Sequence, residues 1–203
     1  MLSIFVDSSS GHRNLALKHR ILHRDVGTGN ILLNNLKSGS GAPRGFLIDL
    51  NFAIQMDHAS LSGARHRIGT LTFMSIEVLR NTSHVHNIRD DLESFLYGLI
   101  YLCTYFCGSG GRAAPDDPMI ASWSSGKWKM LAGNKTGQMV GGAPFRNILD
   151  EYAAGMEVPR PLTEEWRRLL FRWDADELQF LYVDPAELYE GMLDALVKAL
   201  GIV

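Results

Sequence analysis

Asp25 and Asn30, preceded by His23 and Arg24, form together with Asp49 the set of side chains best suited to chemistry in this 203-residue chain. An aspartate within hydrogen-bond reach of a hydroxyl can orient it and accept its proton even while its own pKa stays low. Asparagine and aspartate oxygens are hard ligands that suit Mg²⁺, which keeps several waters and takes only one or two protein carboxylates beside a nucleotide's phosphates. Asp25 is therefore the candidate base, and Asn30 and Asp49 the candidate Mg²⁺ and cofactor ligands, for phosphoryl transfer from a magnesium nucleotide. His23 and Arg24 read as support: a ring packed under the metal-binding strand, and a guanidinium that buttresses the loop or meets a charge in the following irregular segment. Taken singly, each aspartate can equally serve as a turn or cap residue. The combination carries the reading.

These residues need strands and loops to hold them. Ile31-Leu32-Leu33 and Gly45-Phe46-Leu47-Ile48 are short apolar runs separated by Asn34, Asn35 and a Gly/Ser/Pro-rich stretch from Ser38 to Pro43, the pattern of a small hairpin. Upstream, Leu15, Leu17, Ile21 and Leu22 with interspersed basic residues predict a short helix over Gly11 to Ile21 that delivers His23 into a loop. Phe52 to Phe73 has no sustained period and reads as an irregular surface segment ending near Ser75. Phe95 to Cys107 is apolar on nearly every side and predicts a helix enclosed by protein, followed by a long loop from Gly108 to Gly126. Further helices are expected over Lys127 to Ala132, Pro144 to Ala154, Thr163 to Trp173 and Asp176 to Tyr182. In the last helix Asp184 caps, Pro185 takes the first position, and Leu188, Met192, Leu196 and Leu200 line one face.

Composition narrows the function class. Lys+Arg 20 against Asp+Glu 22 leaves a net charge of -2, without the basic footprint of a nucleic-acid binder, and Trp123, Trp128, Trp166 and Trp173 read as packing residues rather than base-stacking ones. Cys103 and Cys107 are too few for a disulfide framework or a complete zinc site and read as buried thiols in a reducing compartment. His58, His66, His84 and His86 fit no helix-borne metal pair with a third ligand. Arg65-His66-Arg67 reads either as a solvated loop or as a receiver for a phosphate on Ser60, Ser62 or Thr70. The start shows neither a signal peptide nor a membrane span, so an intracellular protein of cytoplasm or nucleus, with no membrane partner, is expected. At 46% hydrophobic content, one domain over residues 1–203 is expected; the oligomeric state is open.

The motifs in order resemble the protein kinase catalytic region, and within it the fungal-type protein kinase family. The resemblance rests on His23-Arg24-Asp25-Val26 through Gly29-Asn30-Ile31-Leu32-Leu33, and on Gly45-Phe46-Leu47-Ile48-Asp49-Leu50-Asn51-Phe52-Ala53. It continues through Arg67-Ile68-Gly69-Thr70-Leu71-Thr72-Phe73-Met74-Ser75-Ile76-Glu77-Val78-Leu79, and His86 to Tyr97 with Asp91-Leu92-Glu93. It is best over residues 15–102, is weaker through a helical remainder at 127–200, and includes Trp128 and the Lys135-Thr136-Gly137 neighbourhood. The implied fold is a mainly α kinase C-terminal lobe with a small β-hairpin and the N-terminal lobe missing. The implied roles are Asp25 as base, Asn30 and Asp49 as ligands of Mg²⁺ and ATP, and Gly69 with Thr70 in the loop that meets the acceptor. Glu77 would close the activation segment by pairing with Arg160, Arg167 or Arg168. Asp91 would bond the amides around His23 and Arg24 from beneath, or simply cap its helix.

Three departures weigh against strong activity. Gly27 stands where many serine/threonine kinases carry a lysine that helps hold the transferred group. Asp49-Leu50-Asn51 replaces the usual aspartate, phenylalanine and glycine, with Asn51 expected to take up left-handed backbone angles. Only 22 residues precede His23, without the glycine-rich strand pair, lysine and glutamate that cradle ATP. Transfer of the ATP γ-phosphoryl group to Ser/Thr hydroxyls, weak or absent in this form, is the first reading. The alternatives are a non-catalytic pseudokinase-like interaction module and a small-molecule phosphotransferase. The partners expected are a protein substrate and whatever covers the exposed lobe face.

Overall fold

A computed structural model of the chain describes residues 1–34, 42–58, 68–106, 115–139, 142–174, 177–180 and 183–201. The architecture is mainly helical, with small antiparallel strand pairs. Helix α3 (Ile88–Tyr105) is its axis, and nearly every residue from Ile88 to Ile100 is buried. It starts seven residues before the apolar run that predicted it. Its first two turns bury Asp90, Asp91, Glu93 and Ser94, polar residues that hydrophobic periodicity cannot mark as core. Asn87 caps the helix by accepting from Arg89 N at 2.9 Å, while Asp90 accepts from Asn87 N at 2.8 Å, a complete capping box. Asp91 is therefore not the cap, and its carboxylate is committed elsewhere.

Around α3 pack α1 (Leu2–Arg13), α6 (Pro159–Leu170) and α7 (Pro185–Ala199), with Phe5, Phe95, Trp166, Tyr189 and Leu196 in one continuous apolar cluster. The helix expected over Gly11 to Ile21 instead begins at Leu2 and ends in a wider five-residue turn, Asn14–Lys18. The physical reason is that Ser8, Ser9 and His12 face inward and Asp7 accepts from Arg44 N, so the buried side of α1 does not read as apolar. Helix α2 (Ile76–Arg80) packs on α4 (Trp128–Met139), which runs seven residues beyond the expected Ala132 and also meets α5 (Gly142–Asp150).

The hairpin forms as read: β2 (Ile31–Leu33) pairs with β3 (Gly45–Leu47), with Leu32 opposite Phe46. A second pair, β1 (Ile21–Leu22) with β4 (Ile54–Gln55), forms where the residue pattern predicts the end of a helix and an irregular segment. The helices expected over Thr163 to Trp173 and Asp176 to Tyr182 are corrected. Helix α6 stops at Leu170, and β5 (Phe171–Asp174) pairs antiparallel with β6 (Glu177–Phe180). Phe171-Arg172-Trp173-Asp174 and Glu177-Leu178-Gln179-Phe180 alternate apolar and polar with period two, which suits a strand and not a helix.

Helix α7 matches its sequence signals, with Asp184 Oδ1 accepting from Ala186 N at 2.7 Å and Leu188, Met192 and Leu196 buried. Asp184→Ala is expected to cost about 1 kcal/mol in urea denaturation, the usual worth of such a cap. Cys103 is buried and its thiol is pushed up to about 12 by that burial, as suits an inert packing residue; Cys107 lies outside the described residues. Among the described residues no helix is long and apolar enough to cross a membrane.

Candidate active site

Two strand pairs clamp the loops that carry the chemistry. Residues 23–30 connect β1 to β2 and Asp49 lies between β3 and β4. Because β2 pairs with β3 and β1 with β4, the two connections are tied to each other at both ends. Backbone bonds stitch them further: Ile48 N donates to Asn30 O at 2.9 Å, and His23 Nε2 meets Ile48 O at 2.8 Å. Asp25 N donates to His23 Nδ1 at 3.3 Å, which assigns the ring proton to Nε2 and makes that nitrogen the donor to Ile48. His23 thus holds the turn leading into Asp49 against the loop bearing Asp25.

The Asp25 carboxylate is held on both oxygens. Oδ1 accepts from Thr70 N at 2.8 Å and from the Thr70 hydroxyl at 3.0 Å. Oδ2 accepts from Asn30 Nδ2 at 3.1 Å, and the same amide nitrogen donates to Asp25 O at 2.8 Å. With both Asn30 donors spent on Asp25, the Asn30 amide oxygen is directed away from it and remains available as a hard ligand. Gly69 makes the Thr70 approach possible. Its φ is +117°, and a Cβ there would lie 2.7 Å from the Arg24 carbonyl oxygen.

Beneath this loop, the start of α3 presents three buried carboxylates, each with its own task. Asp91 accepts from His23 N at 2.9 Å, Arg24 N at 3.0 Å, His12 Nε2 at 3.0 Å and His86 Nε2 at 2.8 Å. Burial alone would raise this carboxyl, but His86 and His12 hold it well below the ordinary carboxylate range. Asp90 accepts the Ser75 hydroxyl at 2.6 Å and pairs with His84 at 2.8 Å. Glu93 accepts from Ile76 N at 2.7 Å and the Tyr97 hydroxyl at 2.6 Å, and pairs with Arg89 at 3.1 Å. Burial outweighs these partners and raises the Glu93 carboxyl. One helix end therefore anchors both the Asp25 loop and the segment that leaves Thr70.

Residues 1–103 match the family model for fungal protein kinase. The chain belongs to that family. No curated protein matches it. The residues singled out by sequence fall into three groups. Asp25, Asn30, Gly69, Thr70, His23, Arg24 and Asp91 form one connected cluster. Asp49 stands at its edge, exposed, with φ 63° and one carboxylate oxygen accepting from Asn51 N at 3.2 Å. The left-handed residue of this turn is Asp49 itself and not Asn51, because the 3-10 turn over Leu50–Phe52 takes up Asn51.

Glu77 lies apart from that cluster. Its Oε2 is 3.9 Å from His84 Nδ1, and among the described residues its ion-pair partner is this histidine and not an arginine. Arg160 pairs with Asp150 and Arg168 with Glu165, while Arg167 donates to Met139 O at 2.8 Å. His84 stands where an arginine was expected because Asp90 pulls its ring into the same corner. His84 and His86, whose spacing suits no metal site, serve as carboxylate partners of Asp90 and Asp91. Burial disfavours the charged form of each ring, yet Asp90 and Asp91 raise His84 and His86 respectively above the ordinary histidine value. The trio Arg65-His66-Arg67 with Ser60 and Ser62 lies outside the described residues.

Gly27 is explained by Phe73. A Cβ on Gly27 would lie 2.5 Å from Phe73 Cδ2, so a buried ring occupies the space beside the loop where many kinases place a lysine. Lys135 was the residue sequence reasoning passed over. Fully buried on α4, it reaches the backbone just beyond Thr70. The signal available was its place in a neighbourhood similar to the family, since a lone lysine in a polar helix reads as a solvated one.

Proposed function

We propose that this chain is the large-lobe portion of a protein kinase that transfers the ATP γ-phosphoryl group to serine or threonine hydroxyls, with Asp25 as base and Asn30 and Asp49 as ligands of Mg²⁺. The observation that carries this reading is the Asp25 carboxylate fixed between Thr70 and Asn30. The Thr70 hydroxyl on Oδ1 shows that this oxygen accepts from an alcohol at 3.0 Å. An acceptor hydroxyl in the same position would be oriented, and its proton taken as the oxygen attacks. The donor set fits the metal: the Asn30 amide oxygen and the exposed Asp49 carboxylate are hard oxygens, as Mg²⁺ prefers. When bound, the metal would neutralise charge on the transferring phosphate.

Leu32, Leu33, Phe46, Leu50 and Phe52 are exposed on and beside the hairpin, more apolar surface than a solvated edge needs. We assign this face to a nucleotide-cradling small lobe, joined to this sequence or supplied separately. The same face favours, as the second reading, a non-catalytic interaction module, which is distinguished by partner capture that survives Asp25→Asn combined with Asp49→Asn.

Mg·ATP is expected to raise the thermal midpoint of the chain, and Asp49→Asn to abolish the rise. At ten times Kd the stabilisation is about 1.4 kcal/mol. No shift at millimolar Mg·ATP would count against nucleotide binding by these residues.

A further inference from the structure

Lys135 lies beyond the residues that match the family model and has no part in the chemistry assigned above. Its ammonium is nevertheless the centre of a built site. Nζ donates to Thr72 O at 2.9 Å and Met74 O at 2.6 Å and lies 3.5 Å from Leu71 O. It stands 3.9 Å from the ring centroid of Tyr97 and 5.2 Å from that of Trp123. An ammonium has three donors and no acceptor, so carbonyls and π faces match its charged form, whereas a neutral amine has one donor fewer and an unmatched lone pair.

The carbonyls belong to a turn whose amides close it from within, Met74 N also reaching Leu71 O at 3.3 Å. Phe73 N and Met74 N both donate to Thr70 O, at 2.9 and 3.1 Å, and Thr70 gives its own N–H and hydroxyl to Asp25. A continuous chain of bonds thus runs from α4 through the turn to the candidate base. Resting on the reading that Asp25 and Thr70 meet the acceptor, we propose that Lys135 is a positioning residue whose charge organises the turn 70–74 and so sets Thr70 against the Asp25 carboxylate.

Burial lowers the Lys135 amine to about 7, with Glu93 opposing. Glu93 on α3 is the charge that acts on the amine, and Tyr97 on α3 presents its ring to it; of the other elements that touch α4, α2 carries Glu77 and Arg80, which donates to Thr136, and α5 carries Arg146 and Asp150, while α3 also carries Arg89, Asp90 and Asp91. The hold on the turn therefore weakens as pH rises through about 7. Global stability moves the other way. A lysine with a depressed folded pKa makes the unfolded chain bind more protons between pH 7 and its ordinary value of about 10.4, so this group's contribution to stability rises with pH there.

Hydrogen exchange of the Phe73 and Met74 amides, read by mass spectrometry beside the thermal midpoint, tests this in the wild type, Lys135→Met and Lys135→Arg. At pH 6, Lys135→Met is expected to speed exchange of these amides about tenfold while α6 and α7 stay protected. Its midpoint, in which the loss of a buried charge offsets the carbonyls left without a donor, is read beside the exchange to separate local opening from global unfolding. Measured against Lys135→Met at the same pH, the wild type's extra protection should shrink toward onefold between pH 6 and pH 8.5, and that of Lys135→Arg should not. Equal exchange in wild type and Lys135→Met at pH 6 overturns the proposal, and so does extra protection that ignores pH, which would leave Lys135 a packing role only. If Lys135→Met does not fold, the comparison of wild type with Lys135→Arg across pH decides alone. None of these readouts needs nucleotide, so failure to bind Mg·ATP would sink the proposed activity without touching this result.

Discussion

Asp91→Ala is expected to lower the folding stability of this chain by about 3–5 kcal/mol, the cost of breaking a buried charge network by removing one partner. Four donors converge on the carboxylate: the amides of His23 and Arg24 and the rings of His12 and His86. All four would be left in a buried site, since His12, His23 and Asp91 are fully buried and Arg24 and His86 nearly so. A domain has only about 5–15 kcal/mol of net stability, so the variant should sit near or past unfolding at 37 °C. Urea denaturation followed by circular dichroism measures the loss, and a change under about 1 kcal/mol would show that the donors find other partners. The pH dependence carries a sign for each group. The depressed Asp91 carboxyl contributes stability that is present above the ordinary carboxylate range and lost as pH falls through it. The raised His86 ring contributes stability that is full below about pH 6.5 and lost as pH climbs through its folded value. Because Lys135 acts in the opposite direction above pH 7, the His86 contribution is read as the difference between wild type and His86→Gln.

The parts of this architecture that were legible in sequence are those where local chemistry and burial agree. Ile31-Leu32-Leu33 and Gly45-Phe46-Leu47 declare a hairpin because both runs are apolar and a turn-rich stretch separates them. Asp184 and Pro185 declare the start of α7 because a cap and a first-position proline act within one turn. The motif cluster was legible because Asp25, Asn30 and Thr70 carry recognisable side chains at fixed intervals. What stayed hidden is polar and buried. Ser8, Ser9 and His12 on α1, Asp90, Asp91 and Glu93 on α3, and Lys135 on α4 all face the interior, and the partners that hold His12, Asp91 and Lys135 there are mostly distant in sequence. His12 to Asp91 spans 79 positions and Lys135 to Thr72 spans 63, separations that no window of periodicity can connect. The β5–β6 pair was missed for a different reason. Its period-two alternation is confined to two runs of four residues, too short to separate a strand from a helix by periodicity alone.

Gly27→Lys, which installs the residue many serine/threonine kinases carry at this place, is expected to destabilise the chain by about 1–3 kcal/mol rather than strengthen its site. The first atom added is already the problem: a Cβ at position 27 would stand 2.5 Å from Phe73 Cδ2 and 2.9 Å from Cε2. The ring cannot simply step aside, because it is buried and packs edge-on against Tyr101 with centroids 5.5 Å apart. Moving it also pulls on its own backbone, whose amide donates to Thr70 O and whose neighbours' carbonyls meet Lys135. The clash is thereby passed to the turn that sets Thr70 on Asp25. Gly27 and Phe73 thus form one device, in which an aromatic ring has taken the volume of a side chain and tied it to the acceptor-side loop. Phe73→Ala alone should cost about 3–5 kcal/mol through the cavity it leaves, whereas the double variant Gly27→Lys with Phe73→Ala should lose clearly less than the sum of the two single losses, since the lysine stem enters the vacated space. Strict additivity in that cycle, measured by urea denaturation, would mean that the two positions do not compete for the same volume and that Gly27 owes its identity to something other than Phe73.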